Sequence, residues 1–97
     1  MVEHLVIFKF NENANKDNKS NMLTHLKNLK KEIPEIEEIS CGENFSDRSK
    51  GFDFGLRVLF ASEEDLQTYL VHPAHVKVVE ENIKPIISDL LVIDYNR

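Results

Sequence analysis

Apolar and polar positions along the chain fall into two rhythms, one of period two and one of period 3.6. Across residues 2–10, Val2, His4, Val6, Phe8 and Phe10 share one face and Glu3, Leu5, Ile7 and Lys9 the other. Both rows carry apolar side chains, which predicts a strand covered on two sides. The next segment, NENANKDNKS, is polar and turn-rich and leads into a helix. From Lys16 to Lys31 the spacing becomes helical: Met22, Leu23, Leu26 and Leu29, followed by Ile33, recur on one side while lysines cover the opposite side. Pro34 closes that helix, because the residue before a proline is pushed out of helical geometry.

The segment EIEEISCGENF predicts a weaker strand, acidic at its start and broken at Gly42, with a charge that suits a sheet edge. SDRSKG is a turn. FDFGLRVLF then alternates, with Phe52, Phe54, Leu56, Val58 and Phe60 on one face and Asp53, Gly55, Arg57 and Leu59 on the other. Ser62 is a good helix cap, and Asp65 three residues later resembles a capping box. That helix runs to Val71. Pro73 cannot continue it but suits the first turn of a new piece, predicted from Pro73 to Ile83. The last strand, ISDLLVIDY, sets Leu90, Val92 and Asp94 on one face and Leu91, Ile93 and Tyr95 on the other.

The order is β-α-β-β-α-β, which predicts an α+β ferredoxin-like domain spanning residues 1–97. In that arrangement the first and last strands are neighbours and the helices cover one face of the sheet. The other face holds Leu5, Ile7, Leu59, Leu91 and Ile93, apolar surface that calls for a partner. Two copies packed sheet to sheet, a homodimeric α/β barrel, would bury it. At 97 residues the chain has room for one core and gains from such pairing.

Charge and composition narrow the partners. A net charge of −5 argues against nucleic acid and against an anionic membrane surface. No apolar run approaches the roughly 20 residues a membrane-spanning helix needs. The first ten residues carry Glu3, His4 and Lys9 and lack the pattern of a signal peptide. The lone Cys41 cannot form an internal disulfide, and a cytoplasmic location is the simplest expectation.

Chemistry concentrates in a few polar residues on apolar faces. If the His4 and Asp94 rows face the helices, an imidazole and a carboxylate meet on adjacent strands beneath them, where the carboxylate can fix the imidazole's tautomer. Tyr69, near the end of the second helix, and His75, in the first turn after Pro73, can close over the same space. Helix amides beside His75 favour its neutral form, which general acid–base catalysis requires. A structural alternative stands beside each: His4–Asp94 as a buried polar pair, His75 as a capping side chain, Tyr69 as core packing. His72 precedes the proline and serves the turn. The HPAH spacing also raises a metal site, but the proline breaks the helical geometry and no further ligands complete a shell, so none is expected.

With these residues in place, the chain resembles the stress-responsive A/B barrel domain family, in VEHLVIFKF, GENFSDRSKGFDF, YLVHPAHVKVVEENIKP and VIDY, blocks that span nearly its whole length. The resemblance implies a ferredoxin-like fold paired into a barrel. It also implies similarity to a plant member that closes a linear polyketide by an aldol reaction without a cofactor. By that likeness His75 would be the base and Tyr69 the donor to a developing oxyanion. His4 and Asp94 would be further pocket residues, and Val6, Met22, Leu23 and Leu56 would line an apolar tail pocket. Phe54 stands where that member has another pocket histidine, so the polyketide substrate itself does not carry over. Two readings stay open: a small-molecule pocket for an apolar or polyketide-like ligand with cyclase- or aldol-type acid–base chemistry, or a non-catalytic, stress-associated homodimer. A cofactor-free monooxygenase rests on fold analogy alone.

Overall fold

The computed structural model describes residues Met1–Arg97. Strand β1 (Val2–Phe10) is followed by helix α1 (Lys16–Glu32), strands β2 (Ile36–Glu43) and β3 (Phe54–Phe60), helices α2 (Glu63–Val71) and α3 (Pro73–Val78), and strand β4 (Ile87–Asn96). A π-helical turn (Val79–Ile83) and a 3-10 turn (Lys84–Ile86) join α3 to β4. The four strands form one antiparallel sheet in the order β2-β3-β1-β4, the ferredoxin-like arrangement.

Helix α1 begins at a reciprocal cap. The Asn15 side chain accepts from the Asn18 amide at 2.9 Å, and the Asn18 side chain accepts in turn from the Asn15 amide at 2.7 Å. This satisfies two donors that a helix start otherwise leaves open. The buried stripe Met22, Leu26 and Leu29, continued by Ile33, then seals against the sheet. Against it lie Val2, Val6 and Phe8 of β1 and Phe54, Leu56, Val58 and Phe60 of β3, the rows that strand parity sent there.

Three details depart from the expected pattern. The second strand is not broken at Gly42 but runs through it to Glu43, with Gly42 opposite Gly55. Its irregularity lies instead between Ile36 and Glu38, where a register shift turns Ile36, Ile39 and Cys41 to the core side. The third strand starts at Phe54 rather than Phe52, because the chain is still turning: Gly51 sits at φ 88°, a region glycine adopts without strain.

The face of the sheet away from the helices is open, as the alternation predicts, but not at every position. Ile7, Leu91, Ile93 and Tyr95 are exposed, Ile93 at 61%. Leu59, expected among them, is only 2% exposed. In the register it lies between Glu3 and Glu38, which converge on Arg57, and Arg97 adds a bond to Glu3. These charged side chains shield it. Glu3 is itself buried, and its hydrogen bonds to Arg57 and then Arg97 hold its carboxyl below the usual range. Beside this network a groove of about 380 Å³ runs between Leu5, Ile7, Ser40 and the Gly42–Gly55 pair, where a Cβ would meet nothing within 4 Å.

The core is tight enough to make a prediction. Leu29 is fully buried away from any cavity wall, so Leu29→Ala should lower unfolding free energy by about 2–5 kcal/mol in denaturant titration. A loss under about 1 kcal/mol would contradict the packing described.

Candidate functional site

The site grows from a hydrogen-bond exchange at the helix break. Pro73 has no amide hydrogen, and His72 before it is held at φ −62°, ψ 135°, outside helical geometry. In an unbroken helix the Ala74 amide would bond to the Leu70 carbonyl. Here Ala74 N–H donates instead to His72 Nδ1 at 3.1 Å, so His72 caps α3. The released Leu70 carbonyl accepts from His75 Nδ1–H at 3.1 Å. That bond fixes the tautomer of His75 and leaves the lone pair on Nε2. The Nδ1 atoms of both histidines in the HPAH pair are thereby engaged within the protein.

The same bend folds His75 against Tyr69, with ring centroids 4.2 Å apart and planes inclined by 40°. Tyr69 also meets Phe60 and His4 at 5.0 and 5.9 Å. On the sheet, the β1–β4 register sets His4 directly opposite Asp94, and His4 Nδ1 lies 2.5 Å from Asp94 Oδ1. These four polar residues gather at one cavity of about 330 Å³ between sheet and helices. Val6, Leu56 and Val92 form its floor, and Leu26, Val79 and Ile83 its helical wall. The π-helical turn supplies the last two.

Electrostatics separates the roles of the two rings. Burial pushes the Tyr69 phenol well up, with a smaller push from Cys41, so it stays protonated and can only donate or accept a hydrogen bond. Burial lowers His75, opposed by its bond to Leu70 and aided by the neighbouring His4 and His72, so its imidazole is neutral at physiological pH. Tyr69 is fully buried, yet no group of the protein lies within hydrogen-bonding reach of its hydroxyl.

The structure brings His4, Val6, Leu56, Tyr69, His75 and Asp94 together on the cavity. It leaves Met22, Leu23 and Phe54, expected as pocket residues, off its wall. Met22 lies one helical turn before Leu26 and is sealed in the core; Leu23 is partly buried against that core. Phe54 pairs with Phe8 at the far end of β1 and stacks on it at 5.8 Å, beyond the cavity. Phe8, Leu26, Leu70, Val79, Ile83, Leu90 and Val92 are wall residues that no functional expectation named. For Phe8, Leu90 and Val92 the signal was available, because they alternate with His4 and Asp94.

Residues 2–97 match the family described as Stress Responsive A/B Barrel Domain. A stress-response A/B barrel domain-containing protein of Arabidopsis thaliana is 30% identical over 96 residues, covering 98% of this chain and 36% of that protein. The chain thus spans about a third of that relative's length. Olivetolic acid cyclase of Cannabis sativa is 31% identical over 77 residues, covering 77% of this chain and 76% of the cyclase. Among solved structures, hydroxynitrile lyase from Passiflora edulis superposes with a TM-score of 0.88 at 21% identity, covering 97% of this chain and 90% of that one. A dimeric ferredoxin-like protein of unknown function from Thermobifida fusca superposes at 0.86 with 22% identity, covering 97% and 88%. Likeness at this identity establishes the fold.

The lowered His75 makes stability depend on pH. The unfolded chain takes up its proton first, near the ordinary value of 6.5, so the histidine's contribution is full above that pH. It declines as pH falls, until the folded imidazole protonates as well. Between about pH 7.5 and 5.5, the wild type should therefore lose more stability in denaturant melts than His75→Gln. Parallel losses in the two proteins would contradict a buried neutral His75.

Proposed function

The chain belongs to the stress-responsive A/B barrel domain family, and from that premise we propose that its cavity holds a small, largely apolar molecule and performs cofactor-free acid–base chemistry of the lyase or cyclase kind. The observation that carries this reading is the buried Tyr69 hydroxyl without a protein partner, beside a neutral histidine. A buried polar group left open costs stability, and a cavity is where a ligand atom can satisfy it. A ligand carbonyl oxygen accepts from the Tyr69 O–H. His75 Nε2 removes a proton from the adjacent carbon, the resulting oxyanion stays bonded to Tyr69, and the proton returns from His75 to carbon or to a leaving group. His4, oriented by Asp94, supports the polar end of the cavity. The likeness to olivetolic acid cyclase and to hydroxynitrile lyase supports the reaction class, and the geometry supports the assignment of roles.

The open sheet face favours pairing with a second copy, and this holds whether or not the cavity turns anything over. Its exposed row of Leu91, Ile93 and Tyr95 lies on the edge strand β4, with charge only at its two ends, Asp89 and Arg97. A non-catalytic homodimer, the second reading, rests on this face alone. In that case the cavity is a packing defect, His4 and Asp94 satisfy one another, and the Tyr69 hydroxyl stays unpaired.

Two measurements test these proposals. With 4-phenylbutan-2-one in D2O, the protein should accelerate exchange of the hydrogens next to the carbonyl, followed by NMR. His75→Gln should lose about 100-fold or more of that acceleration while keeping the wild-type circular dichroism. No acceleration by the wild type, or an unaffected variant, overturns the catalytic reading. For assembly, Ile93→Asp should convert the dimer to monomer in sedimentation velocity at micromolar concentration, and a variant that remains dimeric rules out this face.

A further inference from the structure

The open face of the sheet is uneven, and its unevenness follows the register. At one level β2 and β3 set Gly42 opposite Gly55, while β1 and β4 contribute Ile7 and Leu91. At the next level the residues are Ser40, Arg57, Leu5 and Ile93. The groove of about 380 Å³ lies over β2 and β3 at these two levels, bordered by Leu5 and Ile7. Leu91 and Ile93 form a ridge on the other side, 51% and 61% exposed. Nothing within a single chain explains the two glycines. Neither has a positive φ, a Cβ at either would meet nothing within 4 Å, and glycine weakens a strand interior. A strand glycine of this kind marks a place where something else approaches closely.

Two copies related by a two-fold axis use the same patch twice, so the patch must complement itself. Sheets packed face to face can have that axis along their strands or across them. An axis along the strands keeps each level at its own height and reverses the strand order. β4 of one copy then lies over β2 of the other, and β1 over β3. Leu91 meets the partner's Gly42, and Ile7 meets the partner's Gly55. An axis across the strands lays β4 on β4 and β2 on β2, so that ridge opposes ridge and hollow opposes hollow. The sheets would be held apart and the lining of each hollow would lose its contacts. We propose that the axis runs along the strands, with Leu91 of each copy seated in the Gly42–Gly55 hollow of the other. Packed sheets cross at up to about 30°, and because the groove spans two levels the seat survives that rotation. The proposal rests on the reading of the open face as a homodimer interface and adds the register in which the copies meet.

Disulfide trapping tests that register. In a Cys41→Ser background, Gly42→Cys and Leu91→Cys are made as separate full-length proteins, mixed at micromolar concentration and gently oxidised. They should link to each other, giving a heterodimer recognised by its mass, and Gly42→Cys alone should not link to itself. Gly42→Leu, which fills the hollow, should keep the wild-type circular dichroism while weakening the dimer at least about tenfold in sedimentation. Adding Leu91→Ala to it should recover part of that loss. Self-linkage of Gly42→Cys, no heterodimer from a dimeric mixture, or unchanged affinity in Gly42→Leu overturns the register and leaves the homodimer reading standing. A wild type that is monomeric at micromolar concentration overturns both.

Discussion

A single missing amide hydrogen organises this protein's polar chemistry. Because Pro73 cannot donate and His72 cannot stay helical before it, the hydrogen bonds around the break are redistributed. The Ala74 amide turns to the His72 ring, and the Leu70 carbonyl, freed from its helical role, accepts from His75 Nδ1–H. The His72 amide donates to the Tyr69 carbonyl and the Val76 amide to the His72 carbonyl, so hydrogen bonds hold the chain on both sides of the break. Its consequence is directional. The two rings come into contact across the break, and both border the cavity between sheet and helices. The π-helical turn that follows completes that wall and returns the chain to β4.

The sheet answers from the other side through strand parity. From Val2 to Lys9 the β1–β4 register is unbroken, and it sets residue 4 against residue 94. One imidazole and one carboxylate therefore meet under the helices, while Ile7, Leu91 and Ile93 point the opposite way. The two faces thus differ in kind: one encloses a cavity, and the other leaves an apolar row open. Glu3, Arg57 and Arg97 mark one end of the second face with a partly buried ion network, so its apolar part is confined to β4 and the neighbouring residues of β1.

Much of this was legible in the sequence, for identifiable reasons. Period-two alternation depends only on backbone geometry, so the placement of His4, Val6, Leu56 and Asp94 could be read directly. The proline made the break at His72 equally plain. What escaped was set by tertiary packing. Leu59 obeys parity but disappears beneath charged neighbours, because long arginine side chains cover apolar ground that spacing alone leaves bare. Met22 and Leu23 share the helical stripe with Leu26, and no pattern tells which turn of a helix faces a void and which is sealed. The register shift in β2 and the π-helical winding at Val79–Ile83 leave no mark in composition, yet they decide which side chains reach the core and the cavity. The roles of Tyr69 and His75 came from family resemblance together with geometry, since neither periodicity nor composition distinguishes a catalytic ring from a packed one.

The distinction between those two possibilities lies in one hydroxyl. A tyrosine serving only as core packing has its O–H bonded to the protein, and deleting that oxygen costs about 1–3 kcal/mol. A tyrosine whose O–H is reserved for a ligand has no such bond to lose. The most direct measurement is therefore the unfolding free energy of Tyr69→Phe in denaturant, taken together with binding of 4-phenylbutan-2-one. The account predicts a variant at least as stable as the wild type, with binding weakened about tenfold, as the loss of one hydrogen bond implies. A destabilisation of about 2 kcal/mol or more with binding unchanged would show that the hydroxyl belongs to the core, and would contradict the account at its centre.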